Sequence, residues 1–205
     1  RLYCAIRTGL HEDINYATTG GIIKADSTHF VNNRCAVEMN SYTNSLPNGS
    51  PTSNVSHFYN CSFEVDNNNL FAANNCSFRD HIVLREVWNI KIKGCSFSNS
   101  TNEQNDRRHA IYILDAGLTL DTYCNSEMSI PEGCECPDIN STYNEFSGFS
   151  TAVEVNTSGE QHSVEINSAR FTNNEVGICI NGNHYATITR NRRSEERRVG
   201  KECRS

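Results

Sequence analysis

The chain has 205 residues, 37% of them hydrophobic, with a formal net charge of −6 and a mean hydropathy of −0.58; one domain is the natural size, with too little apolar material for a broad two-layer core. No apolar run of about eighteen residues occurs, so no membrane span is expected, and the excess of acidic over basic residues argues against a phosphate-backbone partner, so no nucleic acid is expected. Asparagine is the outlier, with 27 residues against four prolines and twelve glycines. It points to many tight turns, because its amide bonds its own backbone and tolerates the left-handed conformation.

The sequence opens on RLYCAIRTGL with neither an initiator methionine nor a leader and reads as a fragment, expected to be truncated at both ends. The first unit surrounds Phe30, which leads into VNNRCAVEM and then the polar loop NSYTNSLPNGSPTSN. Three segments share a phrase: FYNCSF ending at Phe63, ANNCSF at Phe78 and IKGCSF at Phe97. After Phe97 a polar insertion, NSTNEQNDRRH, precedes the apolar AIYI of residues 110–113. Next comes the cysteine cluster CNSEMSIPEGCECP, then TYNEF to Phe146 with SGFSTAVEV, and EINSARF to Phe171 with TNNEVGICI. An apolar residue precedes Phe by five positions in Phe58, Ile92 and Ile166; a small residue follows by six in Ala36, Ala152 and Gly177. Apolar pairs come next, at Val37/Met39, Val153/Val155 and Ile178/Ile180.

One unit is therefore a strand, an Asn/Gly turn, a short strand ending in Phe, a second Asn-rich turn, a small residue and an apolar strand. The 25 residues from Phe146 to Phe171 suit one coil of three strands. The 33 from Phe30 to Phe63 carry the extra loop, and the 49 from Phe97 to Phe146 suit two coils or one with insertions. Phe78 lies 15 residues after Phe63 and 19 before Phe97, so its register is open, and a hairpin within one long coil would hold it. Stacked coils make an all-β fold, a right-handed parallel β-helix, with Phe, Ile and Val lining a narrow interior. Cys61, Cys76 and Cys95, two positions before a Phe, read as small apolar filler. Cys124, Cys134 and Cys136 read as a local disulfide or free thiols, since their spacing does not spell a zinc site; no metal and no cofactor are expected.

In this register the next Phe falls at position 193, where RSEERRVGKECRS begins. That string resembles the translation of a common short-read sequencing adapter. Residues 1–192 then form an incomplete β-helix domain and 193–205 an artefactual tail; the alternative is a basic functional arm.

The phrases TTGGIIKADSTHFVNNRCAVEM, GCSFSNST, AVEV and HYATITRN resemble the β-helix region of large bacterial surface proteins exported by the type IX route, over about residues 17–192. The resemblance implies a secreted or cell-surface protein with further domains elsewhere in the full-length chain. Its function would be non-catalytic: adhesion, display or contact with a polysaccharide or cell-surface glycan.

β-Helices also host polysaccharide lyases and hydrolases, but no Asp-Asp or Gly-His-Gly element occurs. Asp80, Glu86, Asp115, Asp121, Glu154 and Glu165 are scattered singly and read as outward strand or loop residues. The remaining catalytic candidates are Arg107, Arg108, His109 and Asp115. An arginine there would neutralise a uronate carboxylate and His109 would abstract the adjacent carbon-bound proton, making the alternative a lyase or hydrolase acting on an acidic polysaccharide. The stretch also reads as a solvated loop of mixed charge. Trp88, Tyr112 and Tyr185 are candidates for stacking on sugar rings, against a plain edge or core role for the lone tryptophan. Seven Asn-x-Ser/Thr sites, Asn60 and Asn75 among them, follow from the composition alone.

Overall fold

The computed structural model describes residues 4–8, 22–40, 56–68, 76–102, 106–124, 141–159, 162–182 and 185–193. Among these residues there is no α-helix. The chain is all-β and forms three six-stranded parallel sheets. Sheet 1 stacks β1 (Ile6–Thr8), β4 (Cys35–Met39), β7 (Asp80–Arg85), β10 (His109–Leu114), β15 (Thr151–Asn156) and β18 (Val176–Asn181). Sheet 2 stacks β2 (Lys24–Asp26), β5 (His57–Tyr59), β8 (Ile90–Lys93), β11 (Leu118–Asp121), β16 (Val164–Asn167) and β19 (Ala186–Thr189). Sheet 3 stacks β3 (His29–Val31), β6 (Ser62–Val65), β9 (Ser96–Asn99), β14 (Asn144–Ser147), β17 (Ala169–Thr172) and β20 (Arg192–Arg193). Among the described residues the chain visits sheets 1, 2 and 3 in turn and repeats over six circuits, an order compatible with a parallel β-helix. A small antiparallel pair, β12 (Tyr123–Cys124) with β13 (Ser141–Thr142), interrupts the fourth circuit. The 49 residues from Phe97 to Phe146 are thus one circuit with insertions.

Alternating apolar residues turn inward from all three sheets into a single core cluster. Phe30, Phe63, Phe97, Phe146 and Phe171 stand in register, each stacked on the next at centroid distances of 4.7, 4.6, 4.8 and 5.2 Å. Burying each ring contributes roughly 1.5–3 kcal/mol, and each stack about 0.5–1.5 more. A second column in sheet 2 runs Ala25, Phe58, Ile92, Leu120, Ile166 and Ile188. In sheet 1, Val37, Ile82, Ile111, Val153 and Ile178 align. Arg193 pairs with Phe171 on the backbone, at the position where the repeat expects Phe. Residues 194–205, the rest of the stretch read as tail or basic arm, lie outside the described residues.

Phe78 departs from the repeat phrase that contains it. Asp80, His109 and Thr151 share a row, so Phe78 is equivalent to Phe149, two residues before Thr151 at the corner leading into sheet 1. Both rings pack against His81, at 4.9 and 5.6 Å. Cys76 is accordingly outside the cysteine column and half-buried, whereas Cys61 and Cys95 are buried in register, two before Phe63 and Phe97. Those two are more than filler. The Cys61 N–H donates to Cys95 Sγ at 3.4 Å, and the thiols donate to the carbonyls of Ala25 and Phe58. Asn144 and Asn191 hold the same position with their amides: Cys95 N–H to Asn144 Oδ1 is 2.9 Å, and Ala169 N–H to Asn191 Oδ1 is 2.7 Å.

The corners account for some of the asparagines. A left-handed residue stands three before the column position in Ser27, Asn60, Gly94, Ser168 and Arg190, and two after it in Asn32, Gly148 and Asn173. At Gly148 a side chain is excluded, because a Cβ would lie 1.9 Å from the Asn99 carbonyl oxygen. Asn99 itself stays in β9; its amide donates to the Asp106 carbonyl at 2.7 Å and anchors the insertion.

Candidate functional site

Along the outward face of sheet 1, alternation puts Glu38 between Val37 and Met39, Tyr112 between Ile111 and Ile113, and Glu154 between Val153 and Val155. Glu38 is 3% exposed. Its carboxylate meets Arg85 at 2.5 Å, Arg79 at 3.4 Å and Arg7 at 3.5 Å, and accepts from Cys4 Sγ at 3.4 Å. Burial pushes this carboxyl up, but the Arg85 hydrogen bond and the Arg79 and Arg7 charges outweigh it and hold it below the usual range. Two circuits on, His109 Nδ1 lies 2.8 Å from Asp80 Oδ1 and its Nε2 lies 2.7 Å from Glu154 Oε2.

The sequence reading of single, scattered carboxylates is corrected here. Asp80 is buried, and it and Glu154 meet on one imidazole that joins β7, β10 and β15. Both ring nitrogens lie within hydrogen-bond distance of a carboxylate, so the imidazole bridges the three strands. Arg107 is half-buried and Arg108 exposed. Their backbone carbonyls accept from Ser150, at 2.7 Å from its N–H and 3.0 Å from its hydroxyl. Asp115 lies beyond the far end of β10, six residues and on the order of 20 Å along the strand from His109. There its carboxylate accepts from the Ser158 hydroxyl at 2.5 Å and from the N–H groups of Ser158 and Gly159, which hold its carboxyl below the usual range. Asp115 therefore does not meet Arg107, Arg108 and His109.

The aromatic candidates separate as well. Tyr112 is half-buried beside His109, with ring centroids 5.7 Å apart. Trp88 and Tyr185 are 40% and 63% exposed. Both lie where the chain passes from sheet 1 to sheet 2: Trp88 two residues before β8, Tyr185 one before β19. Two residues there escaped the sequence reading. The His162 ring stacks on Trp88 at 5.4 Å although two circuits separate them, and Gly117 occupies the circuit between. A Cβ at Gly117 would lie 3.2 Å from His162 Cβ and 3.4 Å from Trp88 Cβ, so the absent side chain lets the two rings close over it. A glycine one residue before an apolar strand, with rings two residues before the matching strands of the neighbouring units, was the available signal.

Of the three clustered cysteines, Cys124 is disulfide-bonded, while Cys134 and Cys136 lie outside the described residues. Asn75 lies outside them too. Among the described residues no group of three His, Cys, Asp or Glu is placed to hold a metal ion, and no helix is long and apolar enough to cross a membrane. In comparisons with known proteins, no family model, no curated protein and no solved structure matches the chain.

Proposed function

We propose that the chain is a right-handed parallel β-helix serving as a non-catalytic secreted or cell-surface module, used for adhesion, display or glycan contact. The observation that carries this reading is the repeat of sheets 1, 2 and 3 over six circuits. It turns a modest core into an elongated surface whose sides are rows of polar side chains, a form suited to weak contacts repeated along a polymer. The disulfide at Cys124 fits an oxidising compartment outside the cytosol. The separation of Asp115 from Arg107, Arg108 and His109 along β10, and the engagement of both His109 nitrogens by carboxylates, support this reading over a lyase or hydrolase.

The test incubates the protein with a panel of neutral and acidic polysaccharides and follows both retention and cleavage. Retention without new reducing ends or unsaturated uronates is the expected outcome. Turnover of any member of the panel that is lost in His109→Ala would replace this reading with the enzymatic one.

A further inference from the structure

At the corner between sheets 1 and 2 the Trp88 and His162 rings stack along the stacking direction, each two residues before its strand, while Tyr185 lies one residue before β19, in register with Ser163 and Gly117. Trp88 stands in the third circuit, His162 in the fifth and Tyr185 in the sixth, with Gly117 opening the fourth. Trp88 and Tyr185 are three circuits apart, about 14 Å at the spacing of hydrogen-bonded strands. An aromatic ring left this open in water gains by covering its face, and the hydrocarbon face of a pyranose ring is a natural cover.

Charge narrows the class of ligand. The described residues of this corner in the third to sixth circuits (86–89, 115–117, 157–159, 162–163, 182 and 185) include no Lys or Arg. They do include the carboxylates of Glu86 and Asp115, and the latter is already committed to Ser158 and Gly159. A chain of uronates would meet repulsion here and no counter-charge. We infer that Trp88, His162 and Tyr185, spaced by Gly117, form a platform for a linear neutral polysaccharide lying along the stack of circuits. This rests on the glycan-contact reading above, and it names the place and the class of sugar.

Trp88 is the only tryptophan in the chain, so its fluorescence reports on this corner alone. The protein is titrated with soluble neutral polysaccharides (a mixed-linkage glucan, a xyloglucan and a mannan) and with polygalacturonate and alginate. Binding is measured by affinity electrophoresis alongside the emission spectrum. The expected result is retention by at least one neutral polymer, with a shift in Trp88 emission, and no shift with either uronate. Trp88→Ala and, independently, Tyr185→Ala should each weaken that retention about tenfold. Because Tyr185 is largely exposed, its variant keeps the test open if Trp88→Ala fails to fold. Retention of a polysaccharide with a silent Trp88 and undiminished binding in both variants overturns the platform and leaves the glycan-contact reading standing. An emission shift with uronates alone overturns the neutral class. Retention of none of the five polymers overturns the platform together with the reading beneath it.

Discussion

His81 occupies a position that the neighbouring circuits fill with Ala36, Ala110, Ala152 and Gly177. It is fully buried among Phe63, Phe78, Phe97 and Phe149. Its Nε2 lies 3.2 Å from the Ser98 carbonyl, and its Nδ1 has no hydrogen-bond partner. Burial pushes the imidazole down to about 4, from an ordinary value of 6.5. Above 6.5 the ring is neutral in both folded and unfolded chain, and nothing is gained or lost. As pH falls below 6.5 the unfolded chain takes up a proton that the folded one refuses, so stability declines until about 4, by roughly 3 kcal/mol from this residue. Urea unfolding of wild type and His81→Phe across pH 7 to 4 should show the decline in the first and a shallower dependence in the second. Parallel curves would remove His81 as its source.

At the scale of elements, the corner before sheet 3 is a hydrogen-bond ladder built from two residue types. Asn144 accepts from the Cys95 N–H and donates to the carbonyls of Ile92 and Asp121 at 3.3 and 2.7 Å. Asn191 does the same between Ala169 and Ile166, and the Cys61 and Cys95 thiols make the weaker version two and one circuits before Asn144. A carboxamide and a thiol substitute for each other here because each offers both a donor and an acceptor on a short stem. Asn144→Ala strands a buried N–H and two carbonyls and should cost about 2–4 kcal/mol. Asn144→Cys should recover part of that loss, which chemical denaturation of the two variants measures. Equal losses would mean that the cysteines are space-filling only.

For the whole molecule, stability passes from circuit to circuit, because each buries its apolar residues mainly against its neighbours. The phenylalanine column stops at Phe171, with Arg193 in the next register position. Arg193→Phe extends the column by one ring and should add about 1 kcal/mol, raising the melting temperature by about 2–4 °C. A scanning calorimeter reads this directly, and a lower melting temperature would count against position 193 as a site of the repeat.

The sequence by itself determined the all-β class, the period, the Phe and Ile/Val columns and the register as far as position 193. These follow from local alternation and from turns that only Asn, Gly and a few others accept, and both are written residue by residue. It left Phe78 open because ANNCSF copies the wording of a sheet 3 strand at the wrong spacing, while the register of Asp80 against His109 puts it at the next corner. Only the tertiary structure decided which charges meet. Glu38 with Arg79 and Arg85, and Asp80 with His109 and Glu154, are pairs 29 to 47 residues apart in sequence that stacking sets side by side. The closing of Trp88 and His162 over Gly117 has the same origin: three circuits must be stacked before a missing side chain in the middle one becomes a space.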